Sequence, residues 1–65
     1  MRIELNGAPI ETGSRTLADF LDERGFEAEA VATAIDGTFV PRTARPNAEL
    51  SEGVKIEILS PMQGG

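Results

Sequence analysis

Sixty-five residues make a single small domain, one that buries about 60% of its unfolded surface on folding. The chain has no His, Cys, Trp or Tyr, which excludes thiol and imidazole nucleophiles, Ser–His–Asp relays, thiolate or imidazole metal sites and disulfides. Its formal net charge of −5, from 11 acids against 6 bases, disfavours nucleic acid and favours a partner with a basic surface. Carboxylates remain plentiful, but paired-acid catalysis needs a cleft that separates their pKa values, and so small a domain has little room for one. The chain therefore reads as a substrate or partner of enzymes, not as an enzyme, and no metal or cofactor is expected on it. No apolar run is long enough for a signal peptide or a membrane span. With the absence of cysteine, this points to the reducing cytoplasm.

Ile3 and Leu5 alternate with Arg2, Glu4 and Asn6, the period-two pattern of a half-buried strand. Asn6-Gly7 is a two-residue hairpin signal, since both positions tolerate positive φ. A return strand over residues 8–11 follows, with Ile10 toward the core and Pro9 suited to a sheet edge. Gly13-Ser14 breaks that strand.

A helix comes next. Thr16 suits its N-cap, and Asp19 three positions on completes an acidic capping box. Leu17, Phe20 and Leu21 form one apolar stripe, while Asp19, Asp22 and Glu23 are assigned to water. Gly25 is placed to end the helix, with Phe26 tucked beneath it. Glu27 and Glu29 extend the acidic surface begun at Asp19, a field that only Arg24 opposes locally in sequence.

Residues 31–35 form a third strand with Val31, Thr33 and Ile35 on one face and Ala32 and Ala34 on the other. Asp36-Gly37 signals a second hairpin leading into Phe39-Val40. Pro41-Arg42 ends that strand, and residues 43–49 read as a polar connection. Leu50 and Glu52-Gly53 then bring the chain to a last strand. In it Val54, Ile56 and Ile58 alternate with Lys55, Glu57 and Leu59. Leu59 thus lies in the outward register beside the C-terminal segment, a candidate docking contact.

The element order predicts an α+β fold, the ubiquitin-like β-grasp: a mixed sheet of four to five strands packed on one helix. Its first and last strands are expected as parallel central neighbours, because the intervening helix supplies the crossover. Residues 1–60 are assigned to this domain and 61–65 to a flexible tail. Pro61, Met62, Gln63, Gly64 and Gly65 would reach about 17 Å when extended. Gly64 and Gly65 carry no Cβ, so the pair suits a channel too narrow for other residues. The site residues predicted from sequence are the Gly65 carboxylate as reacting group and Leu59, Pro61, Met62, Gln63 and Gly64 as partner-binding residues.

Three segments carry a family resemblance. They are Ala34-Ile35-Asp36-Gly37-Thr38-Phe39-Val40-Pro41-Arg42, then residues 50–53, then Ile56-Glu57-Ile58-Leu59-Ser60-Pro61 with terminal Gly64-Gly65. Across essentially the whole chain these resemble the ThiS sulfur carriers of thiamine biosynthesis. The terminal glycines alone are weakly specific; Val40-Pro41-Arg42 at this distance from them makes the likeness strong. Asp36 stands where the family often has Asn, and either residue suits the turn. Glu52-Gly53-Val54 replaces a commoner Asp/Gly-Asp loop.

The resemblance implies a carrier cycle. A ThiF-type adenylyltransferase would use ATP and Mg²⁺ to convert the Gly65 carboxylate to an acyl-adenylate. A sulfur donor such as a cysteine desulfurase would supply the sulfur that displaces AMP, leaving a thiocarboxylate for thiazole synthase. ATP and Mg²⁺ belong to the partner, and a monomer forming transient complexes is expected. The small subunit of molybdopterin synthase and a ubiquitin-like protein modifier share these features. A passive β-grasp interaction module is a third alternative.

Overall fold

The computed structural model describes residues 1–60. Strands β1 (Arg2–Leu5) and β2 (Ala8–Glu11) form an antiparallel hairpin in which Ile3 faces Ile10. At its turn Asn6 has φ 51° and Gly7 φ 88°, the paired positive values of a type I′ turn. Helix α1 spans Leu17–Arg24. The Thr16 side chain accepts from the Asp19 amide at 3.1 Å and so satisfies one of the free N–H groups of the first turn. At the other end Gly25 adopts φ 79°. Its N–H bonds the Asp22 carbonyl, and the Phe26 N–H bonds that of Leu21, the crossed pair of a Schellman ending. Phe26 is half-buried against the core, as the sequence predicts.

Strands β3 (Ala32–Ile35) and β4 (Thr38–Val40) form the second hairpin, turned at Asp36 and Gly37 with φ 49° and 83°. Strand β5 (Lys55–Leu59) completes a five-stranded sheet in the order β2-β1-β5-β3-β4. It runs parallel to β1 and antiparallel to β3, so β5 is the central strand of a mixed sheet. One face of the sheet meets α1. Ile3, Ile56 and Ile58 from the strands pack with Leu17, Phe20 and Leu21 from the helix, and Leu50 and Val54 close the core. Each fully buried Leu, Ile or Phe stabilises the fold by about 1.5–3 kcal/mol relative to an exposed position.

Two connections differ from expectation. Residues 27–31 are not a simple lead into β3: Ala28–Ala30 makes a 3₁₀ turn, and the strand starts at Ala32 instead of Val31. The predicted polar connection over residues 43–49 contains a longer 3₁₀ segment, Arg42–Asn47, whose Arg45 is only 4% exposed. Its guanidinium donates from Nε to the Thr33 hydroxyl at 3.1 Å, from Nη1 to the Ala28 carbonyl at 2.7 Å and from Nη2 to the Val31 carbonyl at 2.8 Å. Thr33 in turn donates to the Val40 carbonyl at 2.8 Å. A buried charge is tolerated only when its donors are satisfied, and here backbone oxygens do the work of a carboxylate. Desolvation, and after it the neighbouring Arg42 charge, holds the Arg45 pKa below its ordinary value. Among the described residues no helix is long and apolar enough to cross a membrane.

Candidate functional site

The C-terminal end of β5 is where the described chain leads toward the predicted reacting group. The strand closes at Leu59, two residues before Pro61. Pro61, Met62, Gln63, Gly64 and Gly65 lie outside the described residues; of the predicted site, only Leu59 is placed.

Alternation along β5 buries Ile56 and Ile58 and turns Leu59 outward, where it is 68% exposed. That orientation agrees with the register read from the sequence. The antiparallel register sets Leu59 opposite Ala32, and one row along it sets Glu57 opposite Ala34. On the far side of β3, Ala34 faces Phe39, which is 66% exposed. Two large apolar side chains thus flank two alanines. Together with Thr33 and Glu57 they line a shallow cleft of about 100 Å³ on the sheet face opposite the helix. An exposed Leu alone is ordinary surface; a Leu and a Phe sharing one cleft form a patch able to receive a partner side chain.

Phe39 was not singled out from sequence, although a signal existed. A two-residue turn at Asp36-Gly37 forces Ala34 to face Phe39, so Phe39 inherits the outward face of Ala34. Glu57 borders the cleft, and among the described residues it takes part in no ion pair. A complementary surface is therefore apolar at its centre and basic beside it.

The end of β5 is held on both flanks. On one side Ile58 pairs with Thr33 of β3. On the other the Asn6 side chain accepts from the Ile58 N–H at 2.9 Å and donates to the Ile58 carbonyl at 3.2 Å.

On the acidic helix side Asp19, Asp22 and Glu23 are exposed, as predicted. Glu23 also accepts hydrogen bonds from the hydroxyls of Thr12, at 2.6 Å, and Ser14. The Ser14 bond first and the Thr12 bond second lower the Glu23 pKa. Arg24 is not the only local opposing charge, because Arg42 pairs with Glu29 at 3.2 Å across the 3₁₀ segment. Asp19, Asp22 and Glu27 take part in no ion pair among the described residues.

A hairpin, a crossover helix, a second hairpin and a parallel central strand leading to the C-terminal segment define the class: a β-grasp protein. The ThiS family model matches residues 2–65. The sulfur carrier protein ThiS of Thermus thermophilus is 33% identical over 61 residues, covering 94% of this chain and 95% of that protein. The crystal structure of the thiamine biosynthesis protein ThiS from Geobacter metallireducens aligns with a TM-score of 0.84 at 26% identity, over 100% of both chains. A solution NMR structure of a thiamine biosynthesis protein from the same organism gives 0.82 at 26% identity, over 100% of this chain and 88% of that one. The chain belongs to the ThiS family of sulfur carriers.

Proposed function

We propose that this chain carries sulfur for thiamine biosynthesis on its Gly65 carboxylate. A carboxylate is a poor electrophile. A ThiF-type adenylyltransferase in the cytoplasm, using its own ATP and Mg²⁺, joins one Gly65 oxygen to the α-phosphate and releases pyrophosphate. The resulting mixed anhydride is a good electrophile. The terminal sulfur of a donor persulfide, such as that of a cysteine desulfurase, attacks the acyl carbon, and the bond to the AMP oxygen breaks. A second thiol of the donor system then reduces the acyl disulfide, leaving as a disulfide itself and freeing the thiocarboxylate. That group is a better nucleophile than an oxygen acid, and thiazole synthase takes its sulfur.

The observation that carries this reading is the extent of the family match, which runs through Gly65 and so includes the terminal glycine pair. The geometry of the described residues supports it. Central strand β5 leads into Pro61, Met62, Gln63 and Gly64, the segment proposed to enter the partner. Beside its end, Leu59 and Phe39 form the proposed docking contact. Without a Cβ, Gly64 and Gly65 fit two different enzyme channels at little conformational cost.

Intact-mass measurement on protein from sulfur-replete cells tests the proposal. One oxygen-to-sulfur exchange at the C-terminus is expected. A covalent adduct to another protein would point instead to a modifier, and unmodified protein alone would remove the carrier role.

A further inference from the structure

Asn6 does more than its turn requires. A type I′ turn needs positive φ at both central positions, which Gly or Asp supplies as well. The Asn6 amide makes two further bonds, both to the backbone of Ile58, accepting from its N–H and donating to its carbonyl. One step earlier the Asn6 backbone N–H donates to the Ile56 carbonyl at 2.9 Å, the last rung that β1 itself provides. Beyond Asn6 the chain turns away into β2, so no β1 backbone remains to face Ile58. A primary amide offers one acceptor and a donor, as a peptide unit does. The Asn6 side chain therefore extends the parallel ladder by one rung.

The second hairpin does the same at the opposite end of β5. Asp36 accepts from the Lys55 N–H at 3.0 Å, and its own N–H donates to the Lys55 carbonyl at 2.7 Å. The first central residue of each hairpin thus pins one end of the central strand. Only Asn6 acts at the end that continues toward Gly65.

We propose that Asn6 is a positioning residue for the C-terminal carboxylate. Ile58 lies opposite Thr33 of β3, but its N–H and carbonyl both bond to Asn6, so Asn6 supplies the last rung on the β1 side, and beyond it Leu59 has only its pairing with Ala32. Ile58 is then the last residue of β5 fixed on the β1 side, and the described strand ends one residue later at Leu59, paired with β3 alone. Without the amide the last rung on the β1 side falls back to Ile56 and the end of β5 is held by β3 alone. More conformers then become accessible, and a smaller fraction of them can enter the partner. Loss of a binding-competent fraction raises KM and leaves the chemical step alone. The inference rests on the carrier reading above.

The test uses the full chain with its activating enzyme, ATP–pyrophosphate exchange, and amide hydrogen exchange at Ile58. In Asn6→Gly, which keeps the turn, Ile58 should exchange about tenfold faster. KM for the carrier should rise about tenfold, one residue's worth of backbone freedom, with kcat near wild type. Asn6→Asp keeps an acceptor for the Ile58 N–H and should recover part of both. It also carries the test, with a smaller KM rise, should Asn6→Gly not fold. Asp36→Gly frees the far end of β5, and its KM should stay at the wild-type value whatever its melting temperature. An unchanged KM in Asn6→Gly, or an equal rise in Asp36→Gly, would overturn the proposal. A wild-type chain that supports no exchange overturns both this and the carrier reading, whereas wild-type exchange with no KM difference overturns this alone.

Discussion

Leu59 and Phe39 reach the same cleft from strands that are not neighbours: β5 and β4 lie on either side of β3, and Ala32 and Ala34 form the floor between them. Larger residues at either alanine would fill the space. Leu59→Ala and Phe39→Ala should each weaken binding to the activating enzyme by about 1–2 kcal/mol, the size of a modest interface truncation. Melting temperatures should hardly move, because both side chains are exposed. Titration calorimetry and thermal melting read the two quantities separately. A large drop in melting temperature with affinity intact would assign these residues to the core instead.

Arg45 ties the 3₁₀ segment Arg42–Asn47 to β3 and to the Ala28–Ala30 turn. Arg45→Met removes the donors for the Ala28 and Val31 carbonyls while keeping an apolar stem. A loss of about 2–4 kcal/mol is expected, since buried acceptors are left unsatisfied. In a domain of this size that lowers the melting temperature by roughly 10 °C or more. A change of only about 2 °C would mean that water replaces the guanidinium at little cost.

The sheet, the helix and its caps were legible in the sequence because each rests on a local rule. Asn6-Gly7 and Asp36-Gly37 demand positive φ, Thr16 and Gly25 delimit one apolar stripe, and the alternation from Val54 to Leu59 fixes which side chains face the core. Leu59 was legible for the same reason. Arg45 was not, because nothing adjacent in sequence distinguishes a buried arginine from an exposed one. Its acceptors lie 12 to 17 residues away. The second role of Asn6 was hidden in the same manner. Its partner lies 52 residues along the chain, and the turn already accounts for an Asn at that position.

Acid should erase one contribution to stability. The folded pKa of Glu23 lies below its ordinary value of 4.5, because the ionised carboxylate accepts from two hydroxyls. A depressed carboxyl pKa stabilises the fold above the unfolded value and loses that contribution as pH falls through the folded one. Wild type should therefore melt above Glu23→Gln at neutral pH, and the gap should close below about pH 4.5. A gap that persists unchanged into acid would mean that the hydroxyl bonds do not depend on the charge.

The acidic helix side should steer association more than it holds the complex. Asp22→Asn, Glu27→Gln and Glu29→Gln together should flatten the salt dependence of the on-rate with the activating enzyme. The off-rate should stay nearly unchanged, because exposed charges are screened beyond a Debye length of about 8 Å at physiological ionic strength. Glu29 should contribute least of the three, since Arg42 already pairs with it. Equal salt slopes in stopped-flow association would make this face ordinary solvated surface.

The carrier role is tested most directly by removing the reacting group while leaving the fold untouched. Among the described residues the core cluster extends no further along the chain than Ile58, so deletion of Gly65 should leave the melting temperature at the wild-type value. With the activating enzyme present, ATP–pyrophosphate exchange dependent on the carrier should be abolished, and a bulky residue in place of Gly64 should have the same effect. Undiminished exchange by the folded Gly65 deletion would contradict the account.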